Sequence, residues 1–116
     1  MGAGYINIEE TISYTKKRPK MYVYEARMDN LYYYLYGCLL SNLRSLEAHD
    51  IDRAFKENFN GFVEQWAYDN KGLDFRRKVI LWHRIISACT NSDEDAINLF
   101  YQISDEFFEA YHKENG

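Results

Sequence analysis

Lys16-Lys17-Arg18-Pro19-Lys20-Met21-Tyr22-Val23 contains the only proline in a chain of 116 residues, and the sequence on either side of it decides the fold. Proline lacks a backbone donor, fixes φ and biases the preceding Arg18 away from the α region, so a helix that runs into this stretch ends here. Upstream, Asn7 stands as an N-cap with Glu10 three residues on, a capping box with Asn in place of Ser or Thr. A first helix is therefore expected over residues 8–17, with Ile8, Ile12 and Tyr14 or Thr15 as its narrow apolar stripe. Downstream, Met21-Tyr22-Val23-Tyr24 alternates as a strand would, but no other segment offers a partner strand, so it reads as an ordered loop.

Beyond the loop every segment has helical spacing. Asp29 is the expected N-cap of a second helix over residues 30–46, with Leu31, Leu35, Cys38, Leu39 and Leu46 on one stripe and Tyr32, Tyr36, Leu40 and Leu43 on another. A helix that is apolar on both stripes belongs at the centre of the fold. Gly37 costs about 1 kcal/mol of propensity there, which points to the close approach of a neighbouring helix. Phe55, Phe59, Phe62, Val63 and Trp66 predict a third helix from Asp52 or Arg53 to Asp69, with room for a break at Asn60-Gly61 and a stop at Asn70-Lys71-Gly72. Asp74 is the expected cap of a fourth, over residues 75–88, with the stripe Phe75, Val79, Trp82 and Ile86. Ser92 before Asp93, Glu94 and Asp95 is the clearest start signal, since the helix dipole favours acids in the first turn. Ile97, Phe100, Tyr101, Ser104, Phe107, Phe108 and Tyr111 then recur at three and four. The expectation is an all-α fold, a single compact bundle of about five helices with the second helix buried centrally, spanning residues 1–116 as one domain with residues 1–6 frayed.

Composition bounds the function. Apolar residues make up 47% and charged residues 28%, as in an ordinary globular domain. No apolar run reaches the roughly 18 residues of a membrane span, and no signal peptide or myristoylation pattern opens the chain, so no membrane partner is expected and the cytoplasm is the expected compartment. Cys38 and Cys89 fall among apolar neighbours and read as structural thiols. His49-Asp50 lacks further metal ligands, while His83 reads as a core-edge histidine and His112 as a solvated one. Cys89 and His83 lie six residues apart on separated faces of a helix, and no glycine-rich loop joins a strand to a helix. The sequence predicts no enzyme, no cofactor and no metal.

Charge is uneven along the chain: residues 1–46 sum to +2 and residues 47–116 to −6. Basic clusters at Lys16, Lys17, Arg18 and Lys20 and at Arg76-Arg77-Lys78 stand beside many tyrosines, but the acidic second half argues against direct nucleic-acid binding and for a basic protein partner. Eleven tyrosines are more than the core takes, and Tyr32, Tyr33, Tyr34 and Tyr36 cannot all be buried on one helix. Surface tyrosine supplies contact area at low entropic cost.

The layout of a first helix, Arg18-Pro19-x-Met21-Tyr22-Val23 and a long helix rich in tyrosine and leucine with Gly37 resembles small all-helical bacterial immunity proteins of contact-dependent growth inhibition and polymorphic toxin systems. The likeness covers the N-terminal half; the second half matches only as helices with an acidic last element, and Lys20 stands where the family often has glycine. The resemblance implies an antitoxin-like inhibitor that binds a cognate C-terminal toxin domain, a basic nuclease, and neutralises it by occlusion. On that reading the partner-binding candidates are Asp93, Glu94, Asp95, Asp105, Glu106 and Glu109 of the last helix, with Tyr33 and Tyr34 of the second. The competing expectation is a non-catalytic helical scaffold or regulatory module that uses its aromatic surface to form a homodimer or to hold another partner.

Overall fold

The computed structural model describes residues 6–17, 27–44 and 50–115. The proline loop that carries the resemblance, the loop reading of residues 21–24, and Leu46 and His49 lie outside them. All regular structure among the described residues is helical: α1 (Ile8–Lys17), α2 (Met28–Arg44), α3 (Asp50–Lys71), α4 (Trp82–Ala88) and α5 (Asp93–Asn115). The long helices α2, α3 and α5 pack against one another, and α1 and α4 each pack on all three. The central position expected of α2 is real, and α3 and α5 share it.

α1 begins as its sequence predicts, with Asn7 Oδ1 accepting the Glu10 N–H at 2.9 Å. Thr15, not Tyr14, completes its buried stripe. The Thr15 hydroxyl donates to the Ile12 carbonyl at 2.7 Å and accepts from the Tyr101 hydroxyl at 3.1 Å, so neither polar group is buried unpaired. α2 begins at Met28, which puts the expected cap Asp29 inside the helix. Its cap comes from another element: Asp93 Oδ1 accepts the Met28 N–H at 3.0 Å. The start of α1 is served in the same way, since Asp52 Oδ1 accepts the Ile8 N–H at 2.7 Å from 44 residues away.

α2 buries Met28, Leu31, Tyr32, Leu35 and Leu39, while Tyr33 and Tyr36 are exposed and Cys38, Leu40 and Leu43 are half-buried. Of the first predicted stripe Leu31, Leu35 and Leu39 are fully covered, and of the second only Tyr32. Gly37 corrects another expectation, because a Cβ there meets nothing within 4 Å and no neighbour approaches closely. α3 runs unbroken through Asn60-Gly61 and ends at Gly72, whose φ of +67° is the left-handed region that favours glycine. The Gly72 N–H reaches back to the Tyr68 carbonyl at 3.2 Å, closing the helix as a left-handed C-cap does.

The largest departure from expectation is the fourth helix, which spans only Trp82–Ala88. Asp74 is bound up locally: its carboxylate accepts the Arg76 backbone N–H at 3.0 Å and the Arg76 guanidinium through Nε and Nη2, both at 3.0 Å. The guanidinium bonds, with the backbone N–H behind them, hold the Asp74 carboxyl down at about 2. The Lys78 N–H then closes a turn on the Phe75 carbonyl at 3.1 Å, which no second turn continues. The β-branched pair Val79-Ile80 follows, and Leu81 is extended with φ −71° and ψ 146°. Val79, expected on the buried stripe, is fully exposed, and Phe75 is half-buried.

The core is aromatic. Phe59 of α3 meets Trp82, Phe107 and Phe100 edge-on with ring centroids 5.1, 5.4 and 5.9 Å apart, while Trp82 stacks on Phe100 at 4.9 Å. Contacts of this geometry contribute about 0.5–1.5 kcal/mol each beyond area burial. Phe59 and Trp82 tie α3 to the short α4, and Phe100 and Phe107 tie both to α5.

Candidate protein-binding surfaces

α5 positions most of the predicted residues. At about 100° per residue, Asp95, Asp105, Glu106 and Glu109 fall within one sector opposite the buried Phe100, Ile103 and Phe107, and all four are exposed. The array spans roughly 21 Å at 1.5 Å per residue. It is not uniformly unpaired: Asp105 Oδ2 takes an exposed ion pair from Lys16 of α1 at 3.3 Å, and Glu106 accepts from Gln102 at 3.3 Å. Glu94 is exposed at the helix start. Asp93 is turned toward α2, where its carboxylate caps Met28.

Tyr33 and Tyr34 are separated by the curvature of α2. Tyr33 is 64% exposed, whereas Tyr34 is half-buried and packs against the core. Tyr33 shares the first turns of α2 with the Asp93 cap, so one tyrosine and the acidic start of α5 stand at the same end of the bundle. Asp105, Glu106 and Glu109 lie roughly 18–24 Å further along α5. One continuous surface holding all eight predicted residues is therefore not formed.

Comparison with known protein families, curated proteins and solved structures gives no match. The functional reading rests on the chain itself. Among the described residues no three His, Cys, Asp or Glu side chains are gathered to hold a metal, and no helix is long and apolar enough to cross a membrane. His112 Nε2 lies 2.9 Å from Glu9 Oε1, bridging the end of α5 to the start of α1.

His83 is buried at the start of α4, stacked on the Tyr32 ring at 3.8 Å. Its Nε2 is 3.8 Å from Asp29 Oδ1, beyond hydrogen-bond range, and its Nδ1 has no partner. Burial pushes the imidazole below its ordinary value, with Asp29 pulling the other way and Arg84 adding to the depression. Cys38 and Cys89 are free and half-buried, and burial pushes the Cys89 thiol up, away from a reactive thiolate.

Sequence reasoning missed two features. Asp52 and Asp93 look like ordinary first-turn acids, yet each caps a different helix. The recess that opens beside Val79 was hidden because the helical period ran straight through 75–81.

Proposed function

We propose that this chain is an immunity-type protein that binds a cognate toxin domain, a basic nuclease, and neutralises it by covering the surface that receives the phosphate-bearing substrate. The observation that carries the reading is the row of four carboxylates, Asp95, Asp105, Glu106 and Glu109, held along one side of a long helix whose other side is locked into the core. A line of carboxylates carried on a formed helix meets a phosphate-binding cleft with no backbone left to order, steers association and excludes the substrate by charge and bulk. Exposed Tyr33 of α2, at the end of the bundle where α5 starts, adds contact area of the kind that dominates protein interfaces. The Arg18-Pro19-x-Met21-Tyr22-Val23 layout and its resemblance to small helical immunity proteins support the same assignment, and the site of action is then the cytoplasm of the producing cell. No reaction is performed by the inhibitor.

The test is co-expression with the neighbouring open reading frame, followed by pull-down, calorimetry at two ionic strengths and growth protection. Asp105 is paired with Lys16, so the cleaner variant reverses Asp95, Glu106 and Glu109 to Lys. It is expected to stay helical, to lose affinity and salt sensitivity, and to stop protecting cells. A folded triple variant with unchanged affinity, salt dependence and protection refutes the proposed surface.

A further inference from the structure

A second surface is built by elements that take no part in the acidic face of α5. α2, α3 and the segment leading into α4 enclose a recess of about 380 Å³, and no described residue of α1 or α5 lines it. Tyr32, Leu39, Phe55 and Trp82 make an apolar, largely aromatic floor, and a small pocket of about 20 Å³ against Leu35 is lined by the same residues. The volume lies at the lower end of the range of ligand recesses. Lys56 of α3 and Lys78 of the crossing segment stand at the rim. The one acid lining the recess, Glu64, accepts from Asn60 Nδ2 at 3.1 Å. The rim is therefore net positive in a chain of net charge −4 and opposite in sign to α5.

The edge of the recess is unusual backbone. Val79 is 106% exposed relative to a reference residue, and among the described residues neither its N–H nor its carbonyl is hydrogen-bonded. Leu81, two residues on, is extended and 47% exposed. The Ile80 carbonyl is taken by Asn60 Nδ2 at 3.0 Å and the Leu81 carbonyl by the first turn of α4, so the free N–H and carbonyl of Val79 can pair with one residue of an incoming extended peptide whose neighbouring side chain enters the recess.

We propose that this recess binds an extended segment of a partner protein in which a large apolar side chain is flanked by carboxylates. The apolar side chain rests on Tyr32, Phe55 and Trp82, the backbone pairs with Val79, and a flanking carboxylate lies between Lys56 and Lys78. The proposal is independent of the toxin reading, which uses another face and a partner of opposite charge.

The experiment titrates the full isotope-labelled chain with the peptide acetyl-Glu-Asp-Leu-Trp-Asp-Glu-amide and follows amide and indole resonances. Saturable shifts centred on Val79, Ile80, Leu81 and the Trp82 indole are expected. Affinity should fall at least about tenfold when serine replaces Leu-Trp or when lysine replaces the acids. The same loss is expected in the Lys56→Glu/Lys78→Glu variant, and in Val79→Pro, which removes the edge N–H from an exposed position. Equal binding of the serine peptide, shifts centred on α5, unchanged affinity in both folded variants, or preference for a uridine hexanucleotide over the peptide would each overturn it.

Discussion

Replacing Asp52 tests whether a single carboxylate anchors the first helix. The side chain is 0% exposed, and its Oδ1 accepts the Ile8 N–H at 2.7 Å and, more weakly, the Asn42 amide at 3.4 Å. A hydrogen bond to a charged group contributes about 1.5–3 kcal/mol, and a buried donor left unpaired costs about 1–3 kcal/mol. These describe the same loss from two sides, so they do not add. The favourable placement of an anion at a helix start contributes up to ~1 kcal/mol more. Asp52→Ala is thus expected to destabilise by about 2–4 kcal/mol, and Asp52→Asn, which keeps an acceptor without the charge, by about half of that. Urea unfolding followed by far-ultraviolet circular dichroism measures both, and hydrogen exchange locates the damage at the first turn of α1. An Asp52→Ala cost below about 0.5 kcal/mol, or equal costs for the Asn and Ala variants, would show that the bond contributes no more than solvent does.

Three further outcomes follow from the packing. Gly37→Ala should stabilise by about 0.5–1 kcal/mol in thermal unfolding, because the new Cβ meets open space and the helix gains propensity. Phe59→Ala should destabilise by about 3–5 kcal/mol in urea titration, whereas Val79→Ala should stay within about 0.5 kcal/mol. His83 has a folded-state value depressed chiefly by burial, so the unfolded chain binds a proton first as pH falls. Its contribution to stability is complete above the ordinary histidine value near ~6.5 and is lost as pH drops from there through the lower folded value. Comparison of melting curves across that window should show a shallower loss in His83→Phe, which also removes the unpartnered Nδ1 and keeps a ring against Tyr32.

Local signals read well where they act locally. Asn7 and Glu10 mark the start of α1, Gly72 marks the end of α3, and Ser92 caps α5 by accepting the Asp95 N–H at 3.1 Å. On α5, Phe100, Tyr101, Ser104, Phe107 and Phe108 are buried as their spacing predicts, because burial enforces the 3.6-residue period, while Ile97 and Tyr111 are half-buried and Ala96 and Ile103 join the covered face. Asp74 misled because an N-cap aspartate and an Asx turn present the same residue type, and Arg76 two places on settles the competition with three hydrogen bonds. Once that turn forms, the apolar spacing of Phe75, Val79 and Trp82 is coincidence rather than a helix face. The outer acids of α5 were legible as an exposed array, whereas the recess was not, since it exists only because the fourth helix starts late.

The starts of α1 and α2 are held by carboxylates 44 and 65 residues further along the chain. During synthesis the amino-terminal helices therefore emerge well before the groups that fix their first turns, and α2 waits for the last helix to arrive. A ribosome-bound chain halted before Asp93 can form the helical hydrogen bonds of α2 but lacks the carboxylate that accepts the Met28 N–H. Completion of the fold becomes a closing step, in which the acid-rich final helix clamps the start of α2 in the same movement that sets its outer face toward solvent.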